Sequence, residues 1–291
     1  MTELGTLLTA IVTPFDGDLN VDDDAFVALM HHLAEHGSDG FVVCGTTGEA
    51  ATLTDEEHLG LIGLAVRERP AGTTIIAGAG SNDTRHAVFL TRRATELGAD
   101  AILSVTPYYN RPSPRGLIAH YQEVARATDL PIGLYNIPSR CGIDIPNELL
   151  AELAQIDGIE FVKQANDDNL ALVEGLRVYA GNDPTFARTL DMGGAGVISV
   201  ASHVVGDEMR RMVDEPERRA DIDASLLDVY EVLFSVPNPV GVKAALNLLG
   251  HPVGGVRLPH VEADRRETAT IRTVLERHGL LAATGSSAAT A

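Results

Sequence analysis

Residues 158–202, GIEFVKQANDDNLALVEGLRVYAGNDPTFARTLDMGGAGVISVAS, hold three short apolar runs in succession: GIEFVKQA (158–165), RVYAGN (177–182) and GVISVAS (196–202). Near-continuous apolarity suits strands buried on both faces, as in a parallel sheet. Moving toward the N-terminus, runs of the same kind recur at TLLTAIVT (6–13), GFVVCG (40–45), TIIAGAG (74–80), AILSVTP (101–107) and IGLYNIP (132–138). Amphipathic segments separate them, for example at 22–37, 55–69 and 83–98, with acidic residues at their starts and Gly closing the first and third. Thr54 and Glu57 have the spacing of a capping box. Eight strands alternating with helices predict an α/β fold, a closed (β/α)8 TIM barrel rather than an open doubly wound sheet.

Toward the C-terminus the pattern changes to helices alone, roughly at 207–213, 221–235, 239–249 and 263–278. This divides the chain into a catalytic barrel (1–220), a C-terminal helical extension packed on it (221–280) and a flexible tail (281–291) of small, polar residues. A formal charge of −19 argues against a nucleic-acid backbone or an anionic membrane as partner, though not against a small anion held by a local Arg. The opening MTELGTLLTAIVTP is too short an apolar run for a signal peptide or membrane span, so the expected location is the cytoplasm. Cys44 and Cys141 have no metal-ligand or disulfide-framework spacing. His31, His32 and His36 share one early helix without a carboxylate at metal spacing, and read as surface or half-buried groups.

Of 22 basic residues, 20 are Arg and two are Lys, Lys163 and Lys243. A chain that replaces Lys by Arg nearly everywhere should keep Lys where the two differ chemically. Guanidinium stays protonated, whereas a desolvated ammonium can lose its proton and attack a carbonyl. Lys163 ends the sixth strand, and in such barrels the active site lies at the C-terminal ends of the strands. It is the candidate nucleophile; the bland alternative is an ion-paired lysine at a strand end.

Other strand ends supply companions. Gly45-Thr46-Thr47-Gly48-Glu49 makes a tight turn able to cradle a carboxylate. Tyr135 can carry protons and Arg140 can hold a carboxylate in a bidentate pair, although a buried Tyr and a surface Arg are as common singly. Tyr108 and Tyr109 lie on a Pro-flanked loop, where aromatic pairs usually pack, often at an interface. Cys44 fits a small core residue, and Gly193-Gly194-Ala195-Gly196 a tight turn into the eighth strand.

Together, TAIVTPF, GTTGE, GAGSNDT, TPYYNRP, LYNIPSRCG, FVKQA, YAGND, GGAGVISV and NPVGVKAAL resemble the dihydrodipicolinate synthase branch of the N-acetylneuraminate lyase superfamily over most of the chain. The resemblance implies a (β/α)8 barrel with a helical extension, assembled as a homotetramer, a dimer of dimers. It implies no organic cofactor and no catalytic metal. The implied reaction joins pyruvate to L-aspartate 4-semialdehyde, giving 4-hydroxy-tetrahydrodipicolinate in diaminopimelate and lysine biosynthesis. Lys163 is similar to the imine-forming lysine. Tyr135, Thr46 and Tyr109 are similar to the proton relay, with Tyr109 entering from a neighbouring subunit. Thr46 and Thr47 match the contacts to the pyruvate carboxylate, Arg140 the group that holds the carboxylate of the aldehyde, and Gly181 and Ile198 positions lining the pocket. Lys243 falls in a segment to which a structural role is assigned.

The sequence departs from the family pattern in places. Gln164 stands where Glu is usual, Cys141 where Thr is commoner and Gly241 where Pro is familiar. In the cleft where lysine-sensitive members bind their effector, His58, Asn82 and Tyr108 are as expected, but Ala50, Asp55 and His86 are not. Weak or absent inhibition by L-lysine is therefore expected. Two competing readings are a sister aldolase using another aldehyde or a 2-keto-3-deoxy sugar acid, and a non-catalytic metabolite-binding barrel. Arg140 argues against the first and the joint presence of Lys163, Tyr135, Thr46 and Tyr109 against the second.

Overall fold

A computed structural model describes residues 3–282. Residues 283–291, most of the expected flexible tail, lie outside the described residues. Eight parallel strands close into a barrel in chain order: β1 (Leu7–Ala10), β2 (Gly40–Val43), β3 (Thr74–Gly78), β4 (Ala101–Val105), β5 (Ile132–Asn136), β6 (Ile159–Gln164), β7 (Arg177–Ala180) and β8 (Gly196–Ser199). β1 pairs with both β2 and β8, which completes the circle. Each strand lies inside a run read from the sequence.

The helices around the barrel are α1 (Asp23–Glu35), α2 (Asp55–Glu68), α3 (Thr84–Leu97), α4 (Pro114–Ala125), α5 (Pro138–Cys141), α6 (Asn147–Leu153), α7 (Phe186–Asp191) and α8 (Ser202–Asp214). Asp22 caps α1 by accepting from the Ala25 N–H, and Thr54 and Glu57 close a reciprocal capping box on α2. Gly98 ends α3 at φ 91°, a left-handed position that favours glycine. Beyond the barrel come α9 (Arg219–Leu233), α10 (Val240–Leu248) and α11 (Arg265–Arg277), which pack on one another and, through α8 and α10, on the barrel.

Two details differ from the alternation read in the sequence. No α-helix joins β6 to β7; a 3-10 turn (Asp167–Asn169) does so, and Leu170, Val173 and Leu176 seal the barrel side that a helix would have covered. The Asn/Asp-rich start of the connection favours a turn. α8 begins at Ser202, not near 207. Its first turn carries buried Ser202, His203 and Val205, is non-helical at Val205, and so lacks the exposed face that marks an amphipathic helix.

Among the described residues the core has three parts, the smallest being Val236, Val240 and Val256 in the C-terminal region. Leu29, Ile62, Leu90, Val162 and Val197 belong to the layer between strands and helices. Leu8, Val42, Ile76, Leu103, Tyr135, Phe161, Tyr179 and Ile198 fill the barrel itself. The period of two along a strand puts Val162 outward and Phe161 inward on β6, so Lys163 faces the barrel interior with Phe161. Gly133 on β5 allows this packing: a Cβ there would fall 2.1 Å from the Phe161 ring.

Candidate active site

Strand register brings the reactive groups together. Tyr135 is paired with Lys163 across β5 and β6, and Lys163 with Tyr179 across β6 and β7. Lys163 is 5% exposed, and its Nζ lies 4.6 Å from the centre of the Tyr135 ring. Among the described residues no carboxylate is within ion-pairing distance of it, and Asp183 acts on it at longer range. Burial pulls its pKa down to about 8, helped by Arg140 and opposed by Asp183. About a tenth of the amine is then neutral at pH 7, far more than for an exposed lysine.

Tyr135 is buried, which pushes its phenol up to about 12 against the opposing pull of Arg140 and a hydrogen bond with Thr46. The phenol is protonated at neutral pH and can donate. Thr46, Tyr135 and Arg140 line one cavity at the C-terminal mouth of the barrel, with Cys44 and Cys141 in its wall. Both cysteines are buried free thiols. Burial raises the pKa of each, Cys141 to about 11, so neither is an activated thiolate.

Thr47 is buried behind Thr46, where its Oγ1 accepts from Asn238 Nδ2 at 2.9 Å. Gly181 lies at the end of β7, its N–H donating to the Gln164 carbonyl at 2.7 Å, and a Cβ there would fall 2.7 Å from Ala165 Cβ. Ile198 is buried inside the barrel on β8. Tyr109 stands apart from this group: it is 90% exposed, on the loop after β4, with φ at 71°. His31 is exposed and His32 and His36 are half-buried, as expected, and among the described residues no cluster of His, Cys, Asp or Glu is arranged to hold a metal ion.

Two features of the site were not read from the sequence, where Gln164 stood only as a departure from the family pattern. Asp183, after β7, is fully buried and accepts from the Val200 and Ala201 N–H groups at 3.3 and 3.0 Å, which ties the end of β8 to a carboxylate that acts on Lys163. The residues that follow Tyr135 and Lys163, namely Asn136 and Gln164, form the centre of an amide network. Asn136 Nδ2 donates to Gln164 Oε1 at 3.0 Å and to Asp144 Oδ1 at 2.8 Å, and its Oδ1 accepts from the Ile145 N–H at 3.1 Å. Gln164 Oε1 also accepts from the Asn166 N–H at 3.0 Å. This locks the mouths of β5 and β6, and a neutral Gln164 avoids a second carboxylate beside Asp144. Polar residues immediately after both candidates were the available signal.

The other departures have simple settings. A Cβ on Gly241 would fall 2.2 Å from the Leu233 carbonyl oxygen, so α10 starts hard against the end of α9. Ala50, Asp55, His58 and His86 line the same cavity as Thr46, Tyr135 and Arg140; there Asp55 Oδ1 and His86 Nε2 are paired at 2.9 Å, and His58 donates to the Gly78 carbonyl at 2.7 Å.

Comparisons with known proteins show what the whole chain is similar to. The Dihydrodipicolinate synthetase family matches residues 3–278. The 4-hydroxy-tetrahydrodipicolinate synthase of Heliobacterium modesticaldum is 44% identical over 290 residues, covering 96% of this chain and 97% of that protein. A dihydrodipicolinate synthase from Cyanidioschyzon merolae, solved with lysine bound, superposes with a TM-score of 0.91 at 39% identity, over 97% of this chain and 100% of the other. The chloride-inhibited dihydrodipicolinate synthase from Acinetobacter baumannii, solved with pyruvate, gives 0.91 at 35% identity, over 96% and 100%. With a family match over residues 3–278 and a relative 44% identical over nearly its whole length, the chain belongs to the dihydrodipicolinate synthetase family.

Proposed function

We propose that this chain is a class I, Schiff-base-forming lyase that condenses pyruvate with L-aspartate 4-semialdehyde to give 4-hydroxy-tetrahydrodipicolinate, on the diaminopimelate route to lysine. The observation that carries the reading is Lys163: a buried amine without an ion-pair partner among the described residues, at the barrel mouth against Tyr135.

Neutral Lys163 attacks the ketone carbon of pyruvate. Tyr135 and Thr46 pass the protons that turn the carbinolamine into an imine, and water leaves. Loss of a methyl proton gives the enamine, whose carbon attacks the aldehyde carbon and turns its oxygen into a hydroxyl. The amine of the semialdehyde then displaces Lys163 by transimination, which closes the six-membered ring and frees the lysine. Thr46 and Thr47 hold the pyruvate carboxylate and Arg140 holds that of the aldehyde. Gly181 and Ile198, which are not in the lining of the cavity that Thr46, Tyr135 and Arg140 share, bound the barrel interior near Lys163. The exposure of Tyr109 suits a side chain that completes the relay in a neighbouring subunit of a homotetramer built as a dimer of dimers. The reaction needs no metal or organic cofactor, because the imine itself serves as the electron sink. A cytoplasmic location fits this pathway, and among the described residues no helix is long and apolar enough to cross a membrane.

The test is borohydride reduction with pyruvate, read by intact mass and peptide mapping. The expected result is a gain equal to pyruvate less one oxygen atom, located on Lys163 and absent from Lys163→Arg. An unmodified chain, or full activity in Lys163→Arg, refutes the proposal. Comparing turnover of aspartate semialdehyde with a panel of sugar-acid aldehydes tests the second substrate.

A further inference from the structure

The second lysine is buried too, but in different company. Lys243 on α10 places its Nζ 2.7 Å from Glu49 Oε1, with the two side chains 2% and 1% exposed. The same ammonium donates to the Gly255 carbonyl at 2.7 Å and lies 4.1 Å from the centre of the Phe15 ring. The other carboxylate oxygen of Glu49 accepts from the Arg257 N–H at 3.0 Å.

Glu49 closes the Gly45–Gly48 turn in a left-handed conformation, φ 56°, and its N–H returns to the Thr46 carbonyl at 3.1 Å. Asn238, just before α10, holds the Thr47 hydroxyl. Three residues of the C-terminal region thus grip the turn that presents Thr46 and Thr47. We propose that Lys243 is a positioning residue: locked onto Glu49, it holds the Thr46–Thr47 turn in the pose that receives the pyruvate carboxylate.

The chemistry favours this over a purely stabilising role. Burying an ion pair costs desolvation that an apolar pair of similar size avoids, so such a pair is poorly explained as a source of stability. It fixes geometry, because any shift leaves a buried charge without its partner. Shape explains why this lysine persists in a chain otherwise rich in Arg. The slot between the Phe15 ring, the Gly255 carbonyl and Glu49 fits a compact ammonium with tetrahedral donors, and a planar guanidinium would displace the carboxylate.

The inference rests on the proposal that Thr46 and Thr47 hold pyruvate, and the experiment separates the two. Lys243→Arg, Lys243→Met and Glu49→Gln are compared with the unaltered enzyme and with Arg277→Ala, which breaks a surface pair with Asp228. The readouts are the pyruvate concentration for half-maximal borohydride trapping, KM and kcat for pyruvate, and thermal unfolding. The three buried-pair variants are expected to raise the half-trapping concentration and KM together by about tenfold, with kcat at saturating pyruvate within about threefold of normal, as loss of ground-state binding requires. Arg277→Ala should leave all of these unchanged. A lower melting temperature or lower kcat with unchanged pyruvate half-saturation overturns the positioning role. If the Lys243 variants fail to fold, Glu49→Gln decides: it keeps the size of the side chain but sets an amide against either Lys243 or the Arg257 N–H, and normal half-saturation in it overturns the inference. Failure of the unaltered enzyme to trap pyruvate would instead strike at the proposed function.

Discussion

At Lys163, burial and the Arg140 charge outweigh the attraction of Asp183 and pull the pKa of the amine down to about 8. In the proposed mechanism the neutral form is the nucleophile, so kcat/KM for pyruvate should fall about tenfold for each pH unit below that point. Asp183→Asn removes the group that opposes deprotonation, so the acid limb should move to lower pH. A pH–rate profile checks both, and a flat profile from pH 6 to 8 would exclude Lys163 as the titrating nucleophile. Tyr135 is held protonated by its burial, as a proton donor must be. Tyr135→Phe removes that proton and should lower turnover by roughly 10²–10⁴-fold in a steady-state assay, with little change in folding; near-normal turnover would remove Tyr135 from the relay.

At the scale of strands and helices, the site depends on one close approach. Phe161 occupies the space where Gly133 lacks a side chain, and Lys163 follows two residues later on the same face of β6. Gly133→Ala should cost about 1–3 kcal/mol through overpacking and should disturb the β5–β6 register that pairs Tyr135 with Lys163, so melting temperature and turnover should fall together. Strands were easy to read in the sequence because burial on both faces leaves uninterrupted apolar runs. Helices with one wet face were as clear. What escaped notice had no periodic signature: the buried first turn of α8, and the turn that replaces a helix between β6 and β7. The same holds within the site. Lys163 stood out by position and rarity, whereas Asp183 and the Asn136–Gln164 network act through contacts between distant segments, which no local pattern announces.

Over the whole molecule negative charge dominates, and Arg140 supplies a local positive charge at the mouth, where the proposed function places the carboxylate of the aldehyde. Another part of the same cavity, around Ala50, Asp55 and His86, bears on regulation. Asp55 and His86 are occupied with each other, and Ala50 offers no hydroxyl, so the charged ends of an amino-acid effector find little to bind. L-Lysine should therefore inhibit weakly or not at all. Strong inhibition at millimolar lysine in a steady-state assay would contradict this.

The scarcity of lysine has a practical consequence. An endoproteinase that cleaves after lysine can cut the denatured chain at two places, releasing fragments 1–163, 164–243 and 244–291. An amine capped by reduction is no longer recognised, so each molecule caught with its keto acid would yield 1–243 in one piece. Band intensities on a gel would then report the occupied fraction without isotope, antibody or chromophore.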